Sequence, residues 1–187
     1  LTLAHCLRQA GVNFLAAHLD HGLRPSSARE AEWVRALFSS WGLPCSIRRV
    51  EVGGFAKEHK LGLEEAARHC RYAFLFQVAE ENRAQAVAVG HTADDQVETI
   101  LMHFIRGSGI NGLRGIQPRA LLTEFHPSLP VFRPMLGIKR SETEAYCRDN
   151  QLDYLSDESN INTSFFRNRL RHEIIPALEA VNPAFRK

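Results

Sequence analysis

Short strand-like runs alternate with amphipathic helical patterns over the first ninety residues, and this alternation constrains the fold more than any other feature. Strand-like runs occur at VNFLAAHLDHG (12–22), CSIRRVEV (45–52) and QAVAVGH (85–91). Apolar residues recur at helical spacing in the opening segment, in 26–41 and in 62–82. The order predicts an α/β fold: an open parallel sheet with helices on both faces.

The second part of the chain has a different texture. Residues 107–130 are rich in Gly and Pro and predict loops, 131–137 a short extended piece, and 140–150 a helix. A loop that leads into a last helix is predicted over 157–183. We therefore expect one domain over 1–137 and a small C-terminal helical extension with an Arg-rich segment over 138–187.

Composition excludes several classes of protein. The 23 Lys and Arg residues nearly balance the 21 Asp and Glu residues, so a nucleic-acid partner must depend on local clusters. The four cysteines lie far apart without metal-binding spacing, which is typical of reduced thiols in a cytoplasmic protein. We find no apolar run of membrane-spanning length and no signal peptide, so no membrane partner is expected.

Three carboxylates and a histidine surround the predicted start of the helix in GHTADDQVETILMHFIRGSG (90–109). At about 100° per residue, Asp94, Asp95 and Glu98 share one arc of the helix, and His91 falls near it. The arc adjoins a stripe predicted to face the core, formed by Val97, Ile100, Leu101, Phe104 and Ile105. The carboxyl ends of strands bind ligands in this fold class, which favours a cation site here.

A structural interpretation of the same residues stays open. Thr92 followed by Asp95 is typical of a capping box, and acids in a first turn suit the helix dipole. DHGLR (20–24) is either a second candidate site after a strand or a loop with an Asp turn. The cationic groups of EEAARHCRY (64–72) and FFRNRLRHE (165–173) are either solvated helix charges or phosphate ligands.

Five segments, in this order and at this spacing, resemble the catalytic domain of the tRNA(Ile)-lysidine synthase family. They are HLDHGLR, EEAARHCRY, GHTADDQVETILMHFIRGSGINGL, FRPMLGIKRSE and SDESNINTSFFRNRLRHEIIPALEAVNP. The last is the most discriminating, through Asn168, Arg171, His172 and Glu173. The resemblance covers essentially the whole chain and implies a Rossmann-like fold of the adenine nucleotide alpha hydrolase, or ATP-pyrophosphatase (PP-loop), type.

The resemblance implies a ligase reaction. ATP would adenylate the C2 oxygen of the wobble cytidine in a tRNA(Ile) with a CAU anticodon, and the amine of L-lysine would displace AMP to form lysidine. The tRNA identity would change from methionine to isoleucine. ATP and Mg²⁺ are the expected cofactors, the tRNA and L-lysine are the expected partners, and a homodimer is left open.

Residue roles follow from the resemblance as expectations. Asp95 and Glu98 would face substrate lysine or Mg²⁺, with Asp94 and His91 in support, although the metal ligands stay undetermined. We expect nucleotide binding at Asp20, His21 and Arg71. Contacts with tRNA or phosphate are expected at Arg167, Asn168, Arg169, Arg171 and His172.

One departure from the family pattern matters, and alternatives stay open. The phosphate-binding S-G-G-x-D-S loop of the family is absent, and LTLAH (1–5) reads as the helix that should follow it. We therefore expect a fragment that is inactive alone, without the C-terminal tRNA-binding domains. The rivals are a tRNA thiolation enzyme of the same superfamily, which would need paired cysteines, and a degenerate homologue that only binds tRNA.

Overall fold

The computed structural model describes residues 1–110, 112–155 and 166–186. Its helices are α1 to α8, in order Thr2–Gln9, Ser27–Ser40, Val52–His59, Leu63–Glu81, Ala93–Ile105, Arg140–Asp149, Phe166–Arg169 and Ile175–Val181. Its strands are β1 to β5, in order Ala16–Asp20, Cys45–Arg49, Val87–Ala88, Arg119–Leu121 and Pro130–Phe132. A 3-10 turn forms at Gly112–Arg114, and a π turn over Leu170–Ile174 joins α7 to α8.

The fold is α/β with a parallel sheet and flanking helices, as the alternation predicts. Strands β1 and β2 pair in parallel, with Ala16 opposite Cys45 and Asp20 opposite Arg49. Helix α2 connects them and packs against both, and α4 packs against β1. The predicted third strand forms only at Val87–Ala88, and its hydrogen-bonded neighbour is β5, which also pairs with β4.

One helix was not predicted. The second strand was expected to run to Val52, but it ends at Arg49, and α3 begins at Val52. Gly53 and Gly54 weaken the helical propensity of this segment. Val52 and Ala56 are nevertheless buried in the core, so tertiary packing decides the outcome.

The main core cluster lies between β1, α3 and α4. Its buried members are Leu19, Val52, Ala56, Ala66, Cys70, Phe74 and Val78. The predicted inner face of α4 is therefore confirmed at Ala66, Cys70, Phe74 and Val78, while Leu63 and Ala67 pack against the cluster partly buried. This packing fixes β1, and hence the position of Asp20 at its carboxyl end.

The chain divides into two compact units. One comprises residues 1–3, 88–119 and 133–187, and the other residues 4–87 and 120–132. The first contains α5 to α8, and the second contains β1, β2 and α2 to α4. These bounds are not those of the predicted 1–137 and 138–187 domains, which stay a prediction.

Two other findings concern the predicted elements. Helix α6 forms where it was expected, and the C-terminal end is helical. The expected loop over 157–165 lies outside the described residues. Among the helices that are described, none has the length and apolar character needed to cross a bilayer.

Candidate functional site

Asp95, in the first turn of α5, caps the N-terminus of that helix. Both the backbone N–H and the hydroxyl of Thr92 donate to Asp95 Oδ2, at 2.8 and 2.9 Å. The predicted capping box is therefore present. Burial alone would raise the pKa of Asp95, but the two Thr92 hydrogen bonds, with Arg167 and His91 nearby, hold that pKa below its usual value.

Asp94 hydrogen-bonds to the start of a different helix, α6. Its Oδ2 accepts the N–H of Arg140 at 2.7 Å, and Arg140 is the first residue of α6. Its Oδ1 accepts from the guanidinium of Arg186, which also donates to Glu179 at 2.6 Å. Arg186 lies 92 positions from Asp94 and was not predicted from the sequence, because no local pattern marks it.

Glu98 is buried and lies between two arginines. Its side chain is only 1% exposed, and its Oε2 and Oε1 accept from the Nε atoms of Arg167 at 2.9 Å and Arg171 at 2.7 Å. Burial would lower the pKa of Arg171, but its hydrogen bond to the Glu98 carboxylate raises it above the ordinary value. Asp94 and Asp95 also attract Arg171, and Asp95 interacts with Arg167, so three carboxylates share the positive charge of these arginines.

The predicted core stripe of α5 is wrong at its C-terminal end. Phe104 is 67% exposed and Ile105 is 49% exposed, whereas Glu98 and Met102 are buried. The inward face of the helix carries the acid because two arginines from the C-terminal segment satisfy it. The carboxylate arc and the buried face are therefore partly the same surface.

The other predicted residues of the Arg-rich segment are exposed or half-buried. Arg169 pairs with Glu173 at 3.2 Å, and both side chains are more than half exposed. His172 is exposed and Asn168 is half-buried. The predicted set therefore splits between a buried bridge at Arg167 and Arg171 and an exposed helical surface.

In the other compact unit, Asp20 makes the turn that follows β1. Its Oδ1 accepts the N–H of Gly22 at 2.9 Å, and a Cβ on Gly22, which has φ +65°, would lie 2.7 Å from Oε1 of Glu51. Burial would raise the pKa of Asp20, but hydrogen bonds from Gly22 and Ser27, with Arg49 and His18, lower it. The Asp turn that the sequence left as an alternative is present.

His21 follows Asp20 and lies near Arg71. Burial is the main cause of its lowered pKa, with Arg71 and His18 adding to the effect. No described residue hydrogen-bonds to the buried Nδ1 of His21. A polar ligand group could satisfy this buried ring nitrogen, and the guanidinium of Arg71 would favour an anionic one.

The described residues do not form a ready metal centre. No group of three His, Cys, Asp or Glu side chains in the described ranges is placed to hold a metal ion. Both oxygens of Asp94 and of Glu98 already accept hydrogen bonds from the protein. Within the described part of the chain, Oδ1 of Asp95 is the carboxylate oxygen of this cluster without a donor.

The geometry is that of a PP-loop protein. The family model of the PP-loop domain matches residues 1–178, and the chain belongs to that family. Its fold is similar to that of the U34-tRNA thiolase NcsA from Methanococcus maripaludis, solved with its [4Fe-4S] cluster. The match has a TM-score of 0.74 and 17% identity, and covers 99% of this chain and 64% of the thiolase chain.

The sequence is more similar to proteins named tRNA(Ile)-lysidine synthase. The one from Dehalococcoides mccartyi is 46% identical over 95% of this chain and 38% of its own length. The one from Geobacillus kaustophilus is 42% identical over 90% of this chain and 36% of its own length. The one from Thermotoga maritima is 38% identical over 98% of this chain and 43% of its own length. The chain thus spans less than half the length of these relatives.

Proposed function

We propose that this chain is the nucleotide-binding part of a tRNA(Ile)-lysidine synthase. The observation that carries the proposal is the 46% identity with a protein of that name over 95% of the chain. In the proposed reaction ATP transfers AMP to the C2 oxygen of the wobble cytidine, with release of pyrophosphate. The amine of L-lysine then forms a bond to C2 and AMP leaves, so that the tRNA reads as isoleucine rather than methionine.

Asp95 is the carboxylate that we assign to the cation. The first turn of α5 holds it in one orientation through Oδ2, and its Oδ1 has no donor among the described residues. Its lowered pKa keeps it ionised, as an acceptor for the lysine ammonium must be. His91 and Asp94 support it from the same end of the helix.

Glu98 is assigned to the same cation site in a second role. In the described arrangement it holds Arg167 and Arg171, so a lysine ammonium could reach it only by displacing one of these arginines. We assign contacts with tRNA or phosphate to Arg167, Asn168, Arg169, Arg171 and His172.

Asp20, His21 and Arg71 are assigned to the nucleotide. The buried Nδ1 of His21, which has no hydrogen-bond partner among the described residues, and the nearby charge of Arg71 support this assignment. Mg²⁺ would neutralise the phosphates of ATP; it usually takes one or two carboxylates with waters and phosphate oxygens. Asp95 fits that need, whereas Glu98 does not in its present ion pairs.

Two alternatives stay open. A tRNA thiolation enzyme shares the fold of the solved thiolase, but a likeness at 17% identity concerns the fold alone, and the cysteines here lack paired spacing. A tRNA-binding homologue without activity would keep the exposed arginines without needing Asp95. A cytoplasmic location and a homodimer likewise stay predictions.

The test is the release of AMP that depends on lysine. The protein expressed from its complete gene is incubated with ATP, Mg²⁺, L-lysine and a tRNA(Ile) transcript with a CAU anticodon. Asp95→Asn should lower the rate by about 100-fold or more, since the positioned charge is lost. The matched control Asp149→Asn, at the exposed end of α6, should keep it.

If Asp95→Asn reacts like the unchanged protein, the assignment of Asp95 is wrong. Sulphur incorporation into the tRNA in place of lysine would favour the thiolation enzyme. Binding of tRNA without AMP release would favour the homologue without activity.

A further inference from the structure

The C-terminal end of α5 and the turns after it form an exposed surface that is both apolar and basic. We call the described residues of 104–119 the α5-end surface. Phe104 and Ile110 are 67% and 85% exposed, and Ile105 and Leu113 are 49% and 38% exposed. The segment 103–119 contains three arginines and no Asp or Glu. Apolar patches of this kind mark binding surfaces on proteins.

Side chains of α5 hold this surface in place. Oε1 of Gln96 accepts the N–H of Ile116 at 2.6 Å, and the His103 ring hydrogen-bonds to the carbonyl of Gly112. A Cβ on Gly112 would lie 2.5 Å from Cβ of Ser108, so the backbone is packed closely there. The apolar side chains are therefore presented outward by a fixed turn.

Two of the cations on this surface lack acidic partners among the described residues. Neither Arg106 nor Arg114 has a carboxylate within ion-pair distance in the described ranges. The Arg106 guanidinium lies 5.9 Å from the centre of the Phe166 ring. A guanidinium without a carboxylate is well suited to a phosphate.

We propose that the α5-end surface binds RNA, with Arg106 and Arg114 at phosphates and Phe104 and Ile110 against bases or riboses. Unpaired RNA presents these two chemistries side by side. The proposal rests on the proposed function for the identity of the RNA, a tRNA substrate. The 13 residues of α5 place this surface about 18 Å along the axis from Asp94 and Asp95, so one rigid helix carries both.

An anionic membrane also offers phosphates and apolar groups, and it is the rival partner. RNA is favoured because the same helix carries the carboxylates assigned to the tRNA reaction. Vesicles therefore enter the experiment as a second probe.

The test measures affinity for a labelled tRNA(Ile) transcript at several salt concentrations, without ATP or lysine. The protein from the complete gene is compared as unchanged, Arg114→Glu and Ile110→Ser. Arg29→Glu, at an exposed position of α2, controls for the change in charge, and Val181→Ser, at 86% exposure, controls for the loss of an exposed apolar group. Circular dichroism confirms that each variant is folded.

We expect Arg114→Glu to weaken binding about tenfold and to lower the salt slope by about one, since one phosphate contact is lost. Ile110→Ser should weaken binding by about fivefold with the slope unchanged, because it removes apolar contact rather than charge. Each control should change the affinity less than twofold.

Equal losses in the variants and their controls would overturn the proposal, and so would unchanged binding. Binding to phosphatidylglycerol vesicles that depends on Arg114, without such dependence for tRNA, would overturn it in favour of a membrane. If the unchanged protein releases no AMP with lysine but its tRNA binding depends on Arg114, the RNA-binding role of this surface stands and the proposed reaction is rejected.

Discussion

The three acids at the start of α5 each have different protein partners. Asp95 accepts from Thr92 of its own helix, Asp94 from the first N–H of α6, and Glu98 from two arginines. The cap of α5 therefore explains only one of the three. The others connect α5 to segments that lie far along the chain.

The bridge at Glu98 should contribute strongly to stability. Glu98→Ala leaves Arg167 and Arg171, whose side chains are 31% and 17% exposed, without their shared carboxylate. We expect a loss of about 3 kcal/mol in the free energy of unfolding, the lower end of the range for a broken buried pair, because the arginines are partly solvated. Urea titration measures it.

The matched control is Glu173→Ala, which removes the exposed partner of Arg169. Such surface pairs contribute less than about 1 kcal/mol. Equal losses in the two variants would show that the bridge is not special.

Asp94 should act as a cap for α6. Asp94→Ala removes the acceptor for the N–H of Arg140 and should cost about 1 kcal/mol. Asp94→Asn keeps an acceptor oxygen and should cost less. Hydrogen exchange of the Arg140 amide reports the contact directly, and unchanged protection in Asp94→Ala would count against it.

At the scale of elements, periodicity predicts a helix when its apolar face and its ends are both set by neighbouring residues. The expected helix over 62–82 is found at Leu63–Glu81, because its apolar face and its ends are local features. Helix α3 was missed because Gly53 and Gly54 hide it and only burial of Val52 and Ala56 stabilises it. A local sequence pattern does not indicate whether tertiary packing will stabilise such a helix.

The candidate site shows the same limit. The capping box of Asp95 could be predicted, since Thr92 is three residues away. The bridge from Glu98 to Arg167 spans 69 positions, and no pattern in one sequence pairs them. Phe104 and Ile105 were therefore predicted to be buried when the acid faces inward instead.

The turn after α5 offers a prediction at the same scale. Gly112→Ala would place a Cβ 2.5 Å from Cβ of Ser108, so the turn must shift. We expect a loss of about 1–3 kcal/mol in the free energy of unfolding, as for overpacked sites. Gly109→Ala is the control, because its Cβ would meet no atom within 4 Å. Thermal unfolding that ranks the two the other way would reject the described packing.

For the whole molecule, the free energy of unfolding should decrease as the pH is lowered, in two separate pH windows. Burial lowers the pKa of His18 and His21, so the unfolded chain takes up protons first as the pH drops below about 6.5. The pKa values of Asp20 and Asp95 are lowered by their hydrogen bonds, which outweigh burial. Their contribution is full above about pH 4 and is lost as the pH falls through their folded values.

Single variants separate the two windows. His21→Gln should flatten the slope of unfolding free energy against pH just below 6.5 and leave the acid slope unchanged. Asp95→Asn should flatten only the slope below about 4. Urea titrations from pH 3 to 8 measure both slopes. Each variant removes one titrating group. If His21→Gln changed the slope below pH 4, or Asp95→Asn the slope near pH 6, groups other than these would cause the pH dependence.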